Sequence, residues 1–177
     1  MKKTKTSTIA LGGICLALTV IFMFAGSIVP GIELTLFAVS SLFIAVMIME
    51  SGIRAGILLY AAAVILGLLL IPNKLAMIPY VFFFGYYGIL KFFIEKIHNA
   101  VIQIIIKVCF FAVILCIGLL GFKDLLLGSV SLPDYPAAVL IVAGILMMLV
   151  YDYIYTLIIN MYLKRIKNRG ADNIKLS

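Results

Sequence analysis

Long apolar segments separated by short polar connectors dominate this chain, and they restrict it to a membrane environment. Hydrophobic residues make up 66% of the 177 residues, whereas charged residues make up only 12%. The mean hydropathy is +1.28. A soluble globule of this size could not hide so many apolar side chains, because small globules expose too much of their surface. We therefore expect one membrane domain over residues 1–177.

Six segments approach or reach the length that a helix needs to cross a bilayer. A crossing takes about 20 apolar residues in a helix, and lipid cannot satisfy the backbone groups of open strands. The predicted fold is therefore all-α, a polytopic membrane protein built as a bundle of six transmembrane helices. Segments two to four are the shortest, so a topology that omits segments two and three stays open. The six segments are Ile9–Val29, Leu34–Met49, Ala55–Ile71, Leu75–Leu90, Ala100–Leu120 and Ala137–Leu163.

Lysine and arginine are distributed by side along these segments. If the amino terminus is cytoplasmic, twelve of the fourteen basic residues fall on the cytoplasmic side, and only Lys74 and Lys123 fall outside. This agrees with the positive-inside rule. We therefore expect both termini in the cytoplasm, with an amino-terminal segment at 1–8 and a basic tail at 164–177. The predicted location is a cell membrane, a bacterial plasma membrane in particular, with the tail touching anionic lipid and no nucleic acid as partner.

Few side chains are suited to catalysis. The chain has one histidine, His98, and neither a Walker A sequence nor a G-x-S-x-G motif. Cys15, Cys109 and Cys116 lie within predicted spans and form no C-x-x-C pair. We expect no enzymatic activity, no catalytic residue, no metal site and no cofactor.

Ionisable residues inside the spans are candidates for function, because an unpaired charge there costs at least a few kcal/mol. Lys107 on segment five and Asp152 on segment six lie at similar depths of two antiparallel segments. We expect them to form a structural ion pair. The alternative is that Asp152 binds a cation or a proton during transport. Lys91 and Glu95 are four residues apart and are expected to form a surface pair at the cytoplasmic boundary.

Small residues recur at a spacing that favours helix packing. Ala10, Gly13 and Ala17 follow one another by about one turn on segment one, and Gly52 and Gly56 are four residues apart. Such faces let two helix backbones approach closely. Internal packing is the expected role of Gly52 and Gly56. For the first segment, internal packing and docking of another protein are both open.

This combination resembles the substrate-binding S components of energy-coupling factor (ECF) transporters. The similarity comprises the length, six predicted spans, compact loops, and the small-residue face at Ala10, Gly13 and Ala17. It covers nearly the whole chain as a hydropathy pattern. In that family an alanine-x-x-x-alanine motif docks the transmembrane T component, and here Gly13 stands in place of the first alanine. The resemblance implies a vitamin-like or other small-molecule substrate near the outer face, and two ATPase subunits held by the T component. It further implies that the bundle topples in the membrane to release substrate.

On this interpretation the substrate site draws on polar residues of the outer side. They are few, which favours a substrate of low polarity. The aromatic rings of segment four are expected to pack in the bundle or to lie at the interface, and Tyr86 and Tyr87 could also bond a ligand. The candidate substrate-binding residues are Glu33, Asn73, Lys74, Tyr80, Asp124, Asp134 and Tyr135.

Two other classes of function compete with the transporter subunit. One is a non-catalytic membrane scaffold, such as a cell-envelope or shape-determination protein that acts through helix-helix contacts. The other is a small carrier coupled to protons or ions at Asp152. That carrier would be expected to contain an inverted repeat or a broken helix, and the sequence indicates neither.

Overall fold

Six α-helices account for most of the described chain. A computed structural model describes residues 5–29, 31–121 and 137–175. The predicted all-α bundle is confirmed over these residues. In chain order the helices are α1 (Lys5–Ile28), α2 (Glu33–Ser51), α3 (Ile53–Leu70), α4 (Gly85–Ile94), α5 (Ala100–Gly121) and α6 (Ala137–Lys175).

The lengths and apolar character of the helices match a membrane environment. Within the described residues, four helical stretches are long and apolar enough to cross a membrane: Thr6–Ile28, Glu33–Ser51, Ile53–Leu70 and Ile141–Arg165. The shorter apolar helices Tyr80–Ile94 and Val101–Ile117 complete the bundle. Both α2 and α3 are among the four long stretches, so the topology that omits segments two and three loses its support.

The fourth predicted span is not one regular α-helix. It begins with a 3-10 turn at Leu75–Met77, continues as a π-helix at Tyr80–Phe84, and becomes the α-helix α4 only at Gly85. The predicted segment Leu75–Leu90 therefore comprises three short helical elements, and the last of them, α4, continues to Ile94. Single π turns are rare and often occur at functional sites.

Aromatic packing accompanies the π turn. Tyr80, Phe83 and Phe84 are all buried, whereas Phe82 is exposed. The Phe83 ring lies 5.6 Å from that of Tyr87, one turn further along. Tyr80, Phe83 and Phe84 stand at positions i, i+3 and i+4, a spacing that a helix places on one face, so three of the five residues of this stretch contribute rings to the core.

The last helix is much longer than a bilayer crossing. α6 has 39 residues and continues through most of the predicted tail, as far as Lys175. At 1.5 Å per residue such a helix is about twice as long as the hydrocarbon core is thick. Its carboxyl-terminal part must therefore extend beyond the apolar layer.

α2 is the central element of the bundle, since it contacts α1, α3, α4 and α6. Its buried face includes two serines, whose hydroxyls would be costly in an apolar core without partners. Ser40 donates to the Phe37 carbonyl and Ser41 to the Ala38 carbonyl, each at 2.7 Å. These local bonds satisfy the hydroxyls within the helix itself.

Glycines permit close contacts at several crossings. Gly56 is buried against the side chain of Ile48, as expected for internal packing. Gly52 differs from that expectation: it is exposed and joins α2 to α3 with a φ of +88°. That left-handed backbone conformation explains why glycine occupies the turn. At Gly88 a Cβ would lie 2.5 Å from the Tyr155 hydroxyl, so glycine lets α6 approach α4.

Gly88→Ala should destabilise the bundle by about 1–3 kcal/mol, because the added methyl overlaps the Tyr155 hydroxyl. Unfolding in detergent micelles, followed by circular dichroism, measures the loss. Gly13→Ala is the matched control, since a Cβ at Gly13 meets no atom within 4 Å. The control should be as stable as the parent protein or more stable by up to about 1 kcal/mol, because alanine favours the interior of a helix over glycine. Equal losses in both variants would contradict the packing assigned to Gly88.

Candidate functional site

Charged and hydroxyl side chains from three helices meet in one largely buried group, which we call the Asp152 cluster. On α4 its members are four residues apart, and so are its two members on α6. Residues four apart share one helix face, so each helix presents a single polar stripe to the others. The members are Tyr87, Lys91 and Glu95 of α4, Lys107 of α5, and Asp152 and Thr156 of α6.

The Asp152 carboxylate lies at the centre of the cluster and accepts three hydrogen bonds. Its Oδ1 accepts from the Tyr87 hydroxyl and from the Lys91 ammonium. Its Oδ2 accepts from Lys107 Nζ at 2.7 Å. Both carboxylate oxygens are therefore engaged by donors from other helices, and two of those donors are cations.

Lys91 is the most deeply buried charge of the cluster, with a relative exposure of 1%. Besides Asp152, its ammonium donates to Thr156 Oγ1 at 2.7 Å and lies 3.0 Å from Glu95 Oε1. Three acceptors match the three N–H groups of a lysine ammonium. The expected surface pair of Lys91 and Glu95 is therefore corrected: the two residues do pair, but Lys91 points into the bundle and only Glu95 is exposed.

The cluster balances its own charge. Two ammonium groups, Lys91 and Lys107, face two carboxylates, Asp152 and Glu95. Burying an unpaired charge costs several kcal/mol, whereas a balanced and hydrogen-bonded group avoids most of that penalty. The arrangement therefore links α4, α5 and α6, and it does not by itself require a bound ion.

The structure brings Lys107 and Asp152 together, as their depths along antiparallel segments indicated. Sequence reasoning missed that Lys91 and Tyr87 converge on the same carboxylate. The signal available in the sequence was the spacing of Tyr87, Lys91 and Glu95, which puts all three on one face of α4. Helical spacing gives a shared face but says nothing of how deeply that face is buried.

Two of the outer-side candidates are used by the chain itself. Lys74 Nζ donates to the Leu68 carbonyl and, at 2.8 Å, to the Ile71 carbonyl at the end of α3. Carbonyls in the last turn of a helix have no partner within it, so this lysine stabilises the helix end. The Asn73 amide oxygen accepts from the Ala76 amide at 3.4 Å, within the following turn.

Tyr80 lies inside the bundle rather than at an open surface. It has a relative exposure of 0%, and its ring lies 6.1 Å from that of Phe37. Within the described chain its hydroxyl makes no hydrogen bond of normal geometry, although the Ser40 hydroxyl is a close neighbour. Glu33 is half-buried at the start of α2.

Among the described residues Glu33, Lys74 and Tyr80 thus have different surroundings: Glu33 is half-buried at the start of α2, Lys74 bonds the end of α3, and Tyr80 is enclosed in the bundle. The other three substrate-binding candidates fall in the stretch 122–136, which lies outside the described residues. These are Asp124, Asp134 and Tyr135.

The small-residue face of α1 lies on the outside of the bundle. Ala10, Gly13 and Ala17 are all exposed, and a Cβ at Gly13 would have open space around it. The opposite face of α1 packs into the core through Cys15 and Met23. The sequence left two roles open for these three residues, packing within the bundle and docking of another protein. Because all three are exposed, they do not pack within the bundle.

An open groove of about 380 Å³ lies on α6, and its lining is wholly apolar: Val139, Val142, Ala143 and Leu146. Residues 5–29, 31–121 and 137–175 contain no group of histidine, cysteine, aspartate and glutamate that could hold a metal ion.

The link between Lys107 and Asp152 can be tested by a double-mutant cycle. Lys107→Met and Asp152→Asn should each cost about 3 kcal/mol, because each removes one charge from the balanced buried cluster and leaves the opposite charge in excess. The double variant should lose less than the sum by about 1 kcal/mol or more. Unfolding in detergent micelles gives the free energies of unfolding of the parent protein, the two single variants and the double variant. Lys164→Met, at an exposed position of α6, is the control and should change the free energy of unfolding little. Strictly additive losses of stability in the double-mutant cycle would contradict the link between Lys107 and Asp152.

Comparison of the chain with protein-family models, with curated proteins and with solved structures finds no match. The function therefore has to be argued from the residues and their geometry.

Proposed function

We propose that this protein is the membrane-embedded substrate-binding subunit of an ECF-type importer, and that it docks its membrane partner on α1. One observation carries the proposal: Ala10, Gly13 and Ala17 are exposed on α1 at helix-packing spacing, and the bundle leaves their face free among the described residues. Apolar side chains gain little over lipid when helices associate in a membrane. Close backbone approach at small residues is what stabilises such an association.

The chemistry of the partner follows from the surroundings of this face. Exposed Ile9, Ile14 and Ile21 lie along the same helix. A partner helix that fits here is apolar, with its backbone close to α1 and its side chains between these isoleucines. In an ECF importer this partner is the T component, which holds the two ATPase subunits. That division of labour suits a chain whose own sequence lacks a Walker A motif.

The substrate of this subunit is a vitamin-like or other small molecule of low polarity, taken up through a bacterial plasma membrane. Asn73 and Lys74 already bond the chain itself, which leaves Glu33, Asp124, Asp134 and Tyr135 as the stronger candidates for recognition. The Asp152 cluster has a separate role on this proposal. It holds α4, α5 and α6 together, so that the bundle moves as one body when it topples.

Gly13→Leu should abolish docking, because a bulky side chain keeps the partner helix at a distance. Co-expression with the T component and the two ATPases, followed by affinity purification, measures the amount of complex. We expect a loss of about tenfold or more, which corresponds to about 1.4 kcal/mol. Ala61→Leu is the matched control, since Ala61 is a small exposed residue on α3, and it should leave the complex intact. Equal recovery with Gly13→Leu and the parent protein would contradict docking on this face.

A membrane scaffold of the cell envelope is the second candidate, and the burial of Tyr80 favours it. A residue that binds substrate from outside should face a cavity, whereas Tyr80 is enclosed by the bundle and packs on Phe37. Mass spectrometry of the purified protein separates the two candidates. A small molecule that remains bound after purification supports the transport subunit. A consistently ligand-free protein that fails to retain the T component supports the scaffold.

A further inference from the structure

Basic residues from three parts of the chain are brought to one end of the bundle, which we call the basic end. The Tyr162 hydroxyl of α6 donates to Glu50 Oε1 at 2.8 Å, close to the turn that joins α2 to α3. Arg54 begins α3 directly after that turn, and Lys164 and Arg165 follow Tyr162. The bond between α6 and α2 therefore places Arg54, Lys164 and Arg165 at the same height along the bundle.

The connector between α4 and α5 adds a fourth cation at this end. Lys91 and Thr156 are 2.7 Å apart, which fixes the level of α4 against α6. Both helices continue from there in the same direction, α4 towards Lys96 and α6 towards Lys164. Arg54, Lys96, Lys164 and Arg165 are all exposed. Lys74, by contrast, lies beyond the other end of α3.

Carboxylates near the basic end are already engaged. Glu95 pairs with the buried Lys91, and Glu50 accepts from Tyr162. Glu95 and Asp152 form their ion pairs with Lys91 and Lys107. The four exposed cations of the basic end therefore have no carboxylate partner among residues 5–29, 31–121 and 137–175.

Lys96 has the best-defined surroundings of the four cations. Its Nζ lies 4.5 Å from the centroid of the Phe92 ring and 5.5 Å from that of the Phe93 ring. Phe93 is 51% exposed. A ring that holds an ammonium by a cation-π contact also restricts its motion. Aromatic rings and lysines at helix ends typically lie at the level of the lipid headgroups.

We propose that the basic end binds the phosphate groups of anionic phospholipids in the leaflet where it lies, with Lys96 and its two rings as the central contact. The phosphates supply the negative charge that the engaged carboxylates cannot. Phe92 and Phe93 contact the glycerol and upper acyl region while Lys96 donates to the phosphate. The inference rests on the charges and contacts of this end and does not depend on the importer proposal.

Native mass spectrometry of the purified full chain, titrated in neutral detergent with phosphatidylglycerol, tests the proposal. The parent protein should retain phosphatidylglycerol more strongly than phosphatidylcholine, and added salt should reduce the difference. Lys96→Gln should lower the affinity for phosphatidylglycerol about fivefold, which is the scale of one cation near an anionic surface. Lys96→Arg should restore most of that affinity, because it keeps the charge over the rings.

Lys74→Gln is the matched control, because it removes one lysine from the opposite end, where the ammonium already donates to two carbonyls. It should leave phosphatidylglycerol binding unchanged. An equal loss in Lys74→Gln and Lys96→Gln would overturn the proposal, since it would indicate a response to net charge alone. Inorganic phosphate forms a separate arm: if it displaces phosphatidylglycerol at millimolar concentration, the ligand is free phosphate and the lipid assignment is wrong. Unchanged unfolding of Lys96→Gln shows that its effect on binding is not caused by misfolding.

Discussion

The Asp152 carboxylate accepts hydrogen bonds from both α4 and α5, and the position of α6 depends on this interaction. Only 6% of the most apolar stretch of α6 is buried. Apolar packing distinguishes poorly between helix contact and lipid contact in a membrane, so directional polar bonds decide where such a helix lies. Tyr151 and Ser41, 2.8 Å apart, and Tyr162 with Glu50 add two further bonds between α6 and α2.

Close packing around α4 complements these polar links. Gly85 and Gly88 leave room for tyrosine side chains from the π turn, α3 and α6, and two further rings of the π turn, those of Phe83 and Phe84, are also buried. This aromatic packing contrasts with the face of α1 that points away from the bundle, where the small residues Ala10, Gly13 and Ala17 remain exposed. The bundle is therefore closely packed around α4 and leaves the small-residue face of α1 exposed.

Much of the fold could be predicted from the sequence, and the reasons for the exceptions are physical. Apolar length alone predicted α1, α2, α3 and α5 to within a few residues, because a helix must satisfy its backbone wherever lipid surrounds it. The π turn at Tyr80–Phe84 escaped prediction, since the apolar pattern of this segment does not distinguish a π turn from a regular α-helix. The candidate site was predictable only in part: similar depth indicated Lys107 and Asp152, but Lys91 had the spacing of an ordinary surface pair. Lys74 was predicted to bind substrate. It bonds the end of α3 instead, which depends on the path that the chain takes after α3.

By itself the sequence determined that this chain folds into helices long and apolar enough to cross a membrane, and that few charges lie within their apolar stretches. Both follow from the cost of placing polar backbone or charge in hydrocarbon, a cost that each segment meets locally. Only the tertiary structure decided which charges are buried together, which small residues pack inside the bundle, and which remain exposed. Gly56 and Gly13 have similar local sequence patterns, yet a Cβ at Gly56 would overlap the Ile48 side chain, whereas a Cβ at Gly13 would meet no atom within 4 Å. The difference arises because a helix pattern specifies a face, whereas the neighbouring helices specify what that face meets.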